Sequence, residues 1–467
     1  MVKDFLVHGV QRIDAKQSRF RLRQDAYEGR HPLPFAPDGV NREYEALRRM
    51  SPVPLIRLAV RTSCQRLRAG GLRADLGDEF ARGLWSVWEA NNMGARQRIP
   101  YVDGLVHDCG IISVWPNSKD RGRPFIRPES PAQVHIEQDP ADPFSSLYAV
   151  KTFVERVEGE DVHAAYVYTP DLIVKYTRGA KHSSNWVHKW ESVNPLGAVP
   201  FVVFSPEIDA AGSGVSLVDA LLPMQRAIDT MRFNLLLAAQ FAAYRQRVFT
   251  GFDPHLTDED GNPLYKRDEA GELVLDSAGV PIPVLADLRA GVDRALTFTD
   301  TDTKVYDLDE SDLKNYVTAI DMLVSQFASI AQVPPQYLVG DFKNVSGDLM
   351  VATEATLRAL VTDLQMGYGE SIKDVMRLAH VARGGDLSDV DGLVVDWLDA
   401  DPKSISQIAS AAAQMIPNGA PLRMFLEQWP NATPQMVDRW ISESDNAVSR
   451  ALGGDFSAAM FGLKEPA

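Results

Sequence analysis

The chain has 467 residues, 45% hydrophobic and 24% charged, which excludes a disordered or collagen-like protein and supplies core for about two to four structural units. Net charge is −15 but unevenly placed: residues 1–73 hold 15 Lys or Arg against 7 Asp or Glu (+8), and residues 253–312 hold 16 acids against 5 bases (−11). A surface that grips nucleic acid neutralises phosphates with basic side chains, so most of this surface should repel it.

Residues 1–23 mix charged and apolar side chains without a continuous apolar run, which argues against a secretory leader. No stretch approaches the roughly 18–20 uncharged apolar residues that span a bilayer. The chain reads as soluble and intracellular, with Cys64 and Cys109 as buried, reduced thiols. Residues 1–100 read mainly as helices. In 54–70, Leu55, Leu58, Ala59, Thr62 and Leu67 lie near one face with arginines opposite; in 78–92, Phe80, Leu84, Val87 and Trp88 form the stripe.

From about 101 to 204 short β-branched and aromatic runs predict strands at 110–115, 148–154, 163–168, 172–176 and 186–190, closed by 195–204. Helical and strand patterns together give an α+β fold. A glycine-serine break at 212–216 precedes a long helix. Leu217, Leu221, Met224, Ile228, Met231, Leu235, Ala238 and Ala242 alternate spacings of four and three, a heptad-like seam. With Pro223 in its first turn or at a kink, the helix over 222–247 would be about 39 Å long. Arg245 and Arg247 would complement its dipole.

Residues 252–309 read as a small, loop-rich acidic module with a few strands. Helicity resumes with Ser311 as N-cap, and Leu313, Tyr316, Val317, Ile320, Leu323, Val324, Phe327 and Ile330 make the stripe. Val333-Pro334-Pro335 ends it. A loop at 336–347 leads into a helix over 348–382, which Gly384-Gly385 terminates. A strand is expected at 390–398, and helices over 403–452.

Chemical motifs are sparse. No GxxxxGK phosphate loop occurs, so the chain does not supply ATP energy. Gly212-Ser213-Gly214 lacks the lysine of such a loop and reads as a joint. HExxH, paired CxxC, GxSxG and EF-hand patterns are missing. The nine histidines show no metal-binding interval, and His107 and Asp108, as strand neighbours, would point apart. Asp258, Glu259 and Asp260 suggest a nuclease-type cluster, but consecutive turn residues seldom converge on one ion. The reading is no catalytic residue, no metal and no cofactor.

The order of these elements, and the stretches 194–204 (NPLGAVPFVVF), 214–251, 333–338 (VPPQYL), 341–349 (DFKNVSGDL) and 394–402 (VVDWLDADP), resemble the portal proteins of tailed phages, particularly those of actinobacteria. The resemblance spans nearly the whole chain. It implies a wing over 1–215, stem helices over 216–247 and 311–335, and a clip over 248–310. It also implies a tunnel loop at 336–347, a long helix with a returning wing strand over 348–402, and a crown over 403–467. Portal proteins form rings, usually of about twelve subunits, at one capsid vertex. They conduct double-stranded DNA, dock the large terminase and the head-tail adaptor, and contact major capsid or scaffolding protein, with no membrane. The implied location is the virion, after assembly in the host cytoplasm.

On that reading the seam residues above pack stem against stem. Lys343, Asn344 and Val345, with Asp341 and Phe342, line the channel; Lys343 makes weak phosphate contacts or is a plain surface lysine. Asp258, Glu259, Asp260, Asp268 and Glu269 either steer a basic partner or form a solvated surface at the channel exit. Two other classes stay open: another phage head protein, such as a minor capsid or head-completion protein, and a soluble enzyme whose site carries no readable motif.

Overall fold

The computed structural model describes residues 2–35, 42–157, 159–179, 185–210, 212–243, 247–250, 255–258, 260, 262–276, 279–285, 304–307, 312–340, 347–398, 405–429, 432 and 436–444. In chain order the helices are α1 (Val2–Glu28), α2 (Arg42–Met50), α3 (Leu55–Cys64), α4 (Asp78–Ala90), α5 (Met93–Arg96) and α6 (Arg98–His107). They continue with α7 (Leu217–Ala243), α8 (Leu313–Ala331), α9 (Pro335–Val339), α10 (Gly347–Ala382), α11 (Ile405–Met415) and α12 (Leu422–Leu426). The strands are β1 (Ala69–Arg73), β2 (Gly110–Trp115), β3 (Phe125–Glu129), β4 (Val134–Gln138), β5 (Ser146–Val157) and β6 (Glu160–Tyr168). After them come β7 (Leu172–Gly179), β8 (Val187–Val193), β9 (Phe201–Phe204), β10 (Arg247–Thr250), β11 (Lys304–Asp307) and β12 (Val394–Trp397). The fold is α+β.

One compact unit comprises residues 1–32, 53–227 and 323–467. In it β4 to β8 make an antiparallel five-stranded meander in sequence order. α1 buries Leu6, Val10 and Ile13, spaced four and three, against Tyr148, Val150, Val167 and Val174 of this sheet. Each such apolar side chain taken from water contributes about 1.5–3 kcal/mol. A second sheet, ordered β3-β2-β9, and the β1–β12 pair lie beside α10. There Tyr368 of α10 is fully buried, stacks 4.9 Å from Tyr101 and donates its hydroxyl proton to the Tyr101 carbonyl at 3.2 Å.

The strands predicted at 110–115 and over 148–190 are present as β2 and β5 to β8, and the returning strand as β12, paired antiparallel with β1. Residues 101–107, expected at the start of the strand region, are helical instead. Tyr101 owes its place to packing against Tyr368 and Phe204, which overrides the β preference of its neighbours. His107 ends this helix and Asp108 caps it with φ of 72°, so the pair does not sit on a strand. The long helix starts at Leu217 rather than 222, Pro223 falls inside it, and Arg247 opens β10. Arg247 thus stands on a strand rather than in a helical turn, and Arg245 lies outside the described residues. The thiols of Cys64 and Cys109 are free, as expected, and burial pushes both up to about 12.

The other unit comprises residues 33–52 and 228–322. In it β10 and β11 pair antiparallel, Arg247 opposite Asp307 and Thr250 opposite Lys304. Arg232 donates from Nε to the Ser51 carbonyl at 2.8 Å, tying α7 to the end of α2.

Candidate channel and docking elements

The base of α7 is held by a buried cation. Arg23, 3% exposed, faces Asp219 in the first turn of α7 and reaches Asp108 Oδ2 at 2.7 Å and the His107 carbonyl at 2.9 Å. Burial lowers the basicity of this guanidinium, but hydrogen bonds to Asp219 and Asp108 outweigh it and hold the proton more tightly. The same bonds hold the Asp219 carboxyl below its ordinary range against partial burial. Arg23 thereby joins α1, the end of α6 and the start of α7.

A second polar cluster brackets residues 341–346. Arg66, just after α3, pairs through Nη2 with Glu354 Oε1 at 3.2 Å, and the Tyr337 hydroxyl donates to the same oxygen. Arg66 also lies 3.4 Å from the Tyr337 oxygen. Burial would raise the Glu354 pKa, but the Tyr337 hydrogen bond and the Arg66 charge hold it down. Burial, followed by Glu354, raises that of Tyr337. Tyr337 belongs to α9 and Glu354 to α10, so one clasp fastens the chain on either side of the short segment between them.

Along α7 the buried face runs through Val218, Leu221, Leu222, Gln225, Ile228 and Phe233. Of the predicted seam, Leu221 and Ile228 are buried, while Leu217, Met224, Met231, Leu235 and Ala238 stay partly exposed; the side chain of Ala242 lies outside the described residues. The first half of α8 buries none of its side chains, and Val317 and Met322 are exposed. Its N-cap is Asp312, whose Oδ1 accepts the Lys314 N–H at 2.9 Å; Ser311 lies outside the described residues.

The acidic module is built from a repeat: Asp-x-x-Gly at 258–261, 268–271 and 276–279. In each the Asp N–H donates to the carbonyl four residues on, at 2.9, 2.9 and 2.8 Å for Asp258, Asp268 and Asp276. The Asp258 carboxylate accepts from the N–H groups of Asp260 and Asn262, and that of Asp268 from Ala270 and Glu272. Gly271 and Gly279 have φ of 87° and 80°, the left-handed conformation a turn of this kind requires. The arms join in closed triangles of backbone bonds. Leu264 donates to Leu256, Leu256 to Val284, and Val284 to Leu264; Lys266, Ile282 and Val274 make a second triangle. Between 255 and 285 no described residue is buried, and Leu256, Leu264, Leu273, Leu275 and Val280 are exposed. Among these described residues, turns and backbone hydrogen bonds rather than buried side chains hold the chain together.

A cavity of about 590 Å³ adjoins α6, lined among others by Gln24, Arg96, Asp103, His107 and Arg127. Burial pushes the Asp103 carboxyl up to about 7. It pushes His107 down to about 4, with the Arg23 charge adding to the effect.

The family described as "Phage portal protein, SPP1 Gp6-like" matches residues 10–450, nearly the whole chain. The chain belongs to the phage portal protein family. It is 26% identical over 392 residues to the portal protein of Mycobacterium phage L5, covering 81% of this chain and 75% of that protein. It is 26% identical over 375 residues to the portal protein of Mycobacterium phage D29, covering 78% and 72%. No helix among the described residues of this portal protein is long and apolar enough to cross a membrane.

Of the residues expected to serve the portal, Asp341, Phe342, Lys343, Asn344, Val345 and Glu259 lie outside the described residues. Asp258, Asp260, Asp268 and Glu269 are all exposed, and the carboxylates of Asp258 and Asp268 additionally accept turn N–H groups. Sequence reading missed Arg23, Arg66, Glu354 and the threefold repeat. Only the repeat carried a signal along the chain, and its unequal spacing hid it.

Proposed function

We propose that about twelve copies of this portal protein close into a ring at one capsid vertex, through which double-stranded DNA passes during packaging and ejection. In this reading α7 and α8 are the stem, the acidic module between them is the clip, and residues 336–347, whose first four are helical in α9 rather than loop, are the tunnel-loop segment. The observation that carries it is a pair of long helices joined through an acidic module that buries none of its described residues between 255 and 285, with seam residues on α7 left partly exposed in the single chain. Helical faces of this kind suit heterologous contacts that close by rotation. Twelve copies would bear a formal charge of 12 × −15 = −180, a wall that repels phosphates and lets the polymer slide.

Lys343, with Asn344 and Val345 beside it, would supply a ring of weak phosphate contacts, with Asp341 and Phe342 in the same loop. The clasp of Arg66, Tyr337 and Glu354 would set where that loop projects. Asp260 and Glu269 would face a basic partner, the terminase or the head-tail adaptor, while Asp258 and Asp268 shape the surface that presents them. Electron microscopy and native mass measurement of the purified protein test the assembly. A ring with a hole about as wide as a duplex is the expected result, and a monomer or dimer under assembly conditions would end the proposal.

A further inference from the structure

At Gly9 α1 lies so near the five-stranded sheet that an added Cβ would stand 2.4 Å from Val150 Cγ2. Any larger residue would push the helix away. That approach sets the preceding residue, His8, over the edge strand β4. On β4, His135 and Glu137 are two residues apart and so share one face. The register places Val150 opposite His135 and Tyr148 opposite Glu137, so these four side chains belong to one patch of two neighbouring strands.

Three donors converge there. His135 Nε2 is 2.7 Å from Glu137 Oε2, and His8 Nδ1 is 3.8 Å from the same oxygen. One ligand atom from each residue lies within 4.8 Å of the others. The Tyr148 hydroxyl is 2.7 Å from His8 Nδ1. The His135 side chain is 7% exposed and its Nδ1 has no hydrogen-bond partner, whereas that of His8 is 44% exposed and opens the cluster to solvent.

We infer that His8, His135 and Glu137 bind one divalent transition-metal ion of the zinc class, which staples α1 to the edge strand β4. Two imidazole nitrogens and one carboxylate oxygen suit zinc, cobalt or nickel; calcium and magnesium prefer more oxygen ligands. Bond lengths of about 2.0–2.2 Å place tetrahedral donors about 3.4 Å apart, between the spacings observed here, so side-chain rotations suffice. The fourth position falls to the Tyr148 hydroxyl or to solvent. Arg12 donates from Nε to His8 Nε2 at 3.3 Å, which puts the neutral ring's proton on Nδ1. Coordination through Nδ1 shifts that proton to Nε2 and displaces Arg12, an exposed side chain. In His135 the proton moves from Nε2 to the buried Nδ1 as Glu137 turns from hydrogen-bond acceptor to co-ligand. Arg12 and Lys16 on the same helix oppose a cation, so the expected affinity is micromolar.

The test is calorimetric titration of the chelator-treated full-length protein with zinc chloride, alongside thermal melts with and without zinc. One ion per chain and a higher melting temperature are expected, with no response to magnesium chloride. His8→Gln, at a half-exposed position, should keep the fold and weaken binding by more than about 100-fold. Glu137→Gln should weaken it similarly. Absence of stoichiometric zinc binding by the wild-type protein, or wild-type binding by both variants, overturns the inference.

Discussion

Arg23 and Asp219, 196 residues apart, meet in a two-pronged pair: Nε donates to Oδ1 at 2.9 Å and Nη2 to Oδ2 at 2.6 Å. The planar guanidinium matches the carboxylate fork, a geometry lysine cannot reproduce. Arg23 is 3% exposed, but the Asp219 side chain is 51% exposed and that of Asp108 18%, so deleting the arginine leaves one carboxylate largely solvated and one partly buried without its match. Arg23→Ala should therefore destabilise the protein by about 2 kcal/mol, the loss of charge-assisted hydrogen bonds to partly solvated carboxylates, read from thermal unfolding by circular dichroism. Arg23→Lys should fall between the two. A loss below about 1 kcal/mol for the alanine variant would mean the pair behaves as an exposed one.

The clasp of Arg66, Tyr337 and Glu354 predicts a local effect. Glu354→Gln removes the charge that both partners address, at a site only 15% exposed. Amide exchange in α9 and in the first turns of α10 should accelerate, while the sheet amides of β5 to β7 keep their protection. Hydrogen-exchange mass spectrometry resolves these segments. Uniform acceleration across the chain would instead assign the clasp a global role.

Such contacts explain which parts of the structure were readable in advance. The meander β5 to β8 follows the alternation of β-branched and aromatic residues, a local property, and so was legible. Helix α6 was not, because Pro100, Tyr101 and Val102 favour extended structure in isolation and Tyr101 settles only against Tyr368 and Phe204. Strands β3 and β4 were hidden by Pro124, Pro128 and Pro131, which read as turns. Arg66 and Glu354 are 288 positions apart, and His8 and Glu137 meet only because Gly9 lets a helix touch a sheet. Periodicity reports which face is buried; it does not report what that face meets.

The threefold repeat separates two roles among acids that look alike along the chain. Asp268→Ala removes the carboxylate that accepts the Ala270 and Glu272 N–H groups, both at 2.9 Å, and should destabilise the module by about 1–2 kcal/mol. Glu269→Ala touches no such bond and should leave stability unchanged. If Glu269 meets a basic partner, its loss should slow association and flatten the salt dependence of docking. Stability from denaturant titration and association rates at two ionic strengths would distinguish these outcomes. Equal destabilisation by both variants would refute the division.

Asp103 and His107 sit one turn apart on α6 beside the same cavity, and their acid–base behaviour runs in opposite directions. His107 titrates at about 4 in the folded chain against 6.5 ordinarily, so the unfolded state takes up its proton first and stability falls as pH drops through that window. Asp103 titrates at about 7 against 3.8, so the unfolded state releases its proton first and stability falls as pH rises. Between about pH 4 and pH 6.5 the two slopes oppose each other. Asp103→Asn leaves His107 alone and should lose on the order of 3 kcal/mol on acidification across that range, relative to the wild type. His107→Gln should do the reverse and weaken toward neutral pH. Comparing each variant with the wild type at about pH 4.5 and about pH 6.5 cancels the other titrating groups, which are common to both proteins. Parallel stability profiles in all three proteins would show that neither group is held away from its ordinary pKa.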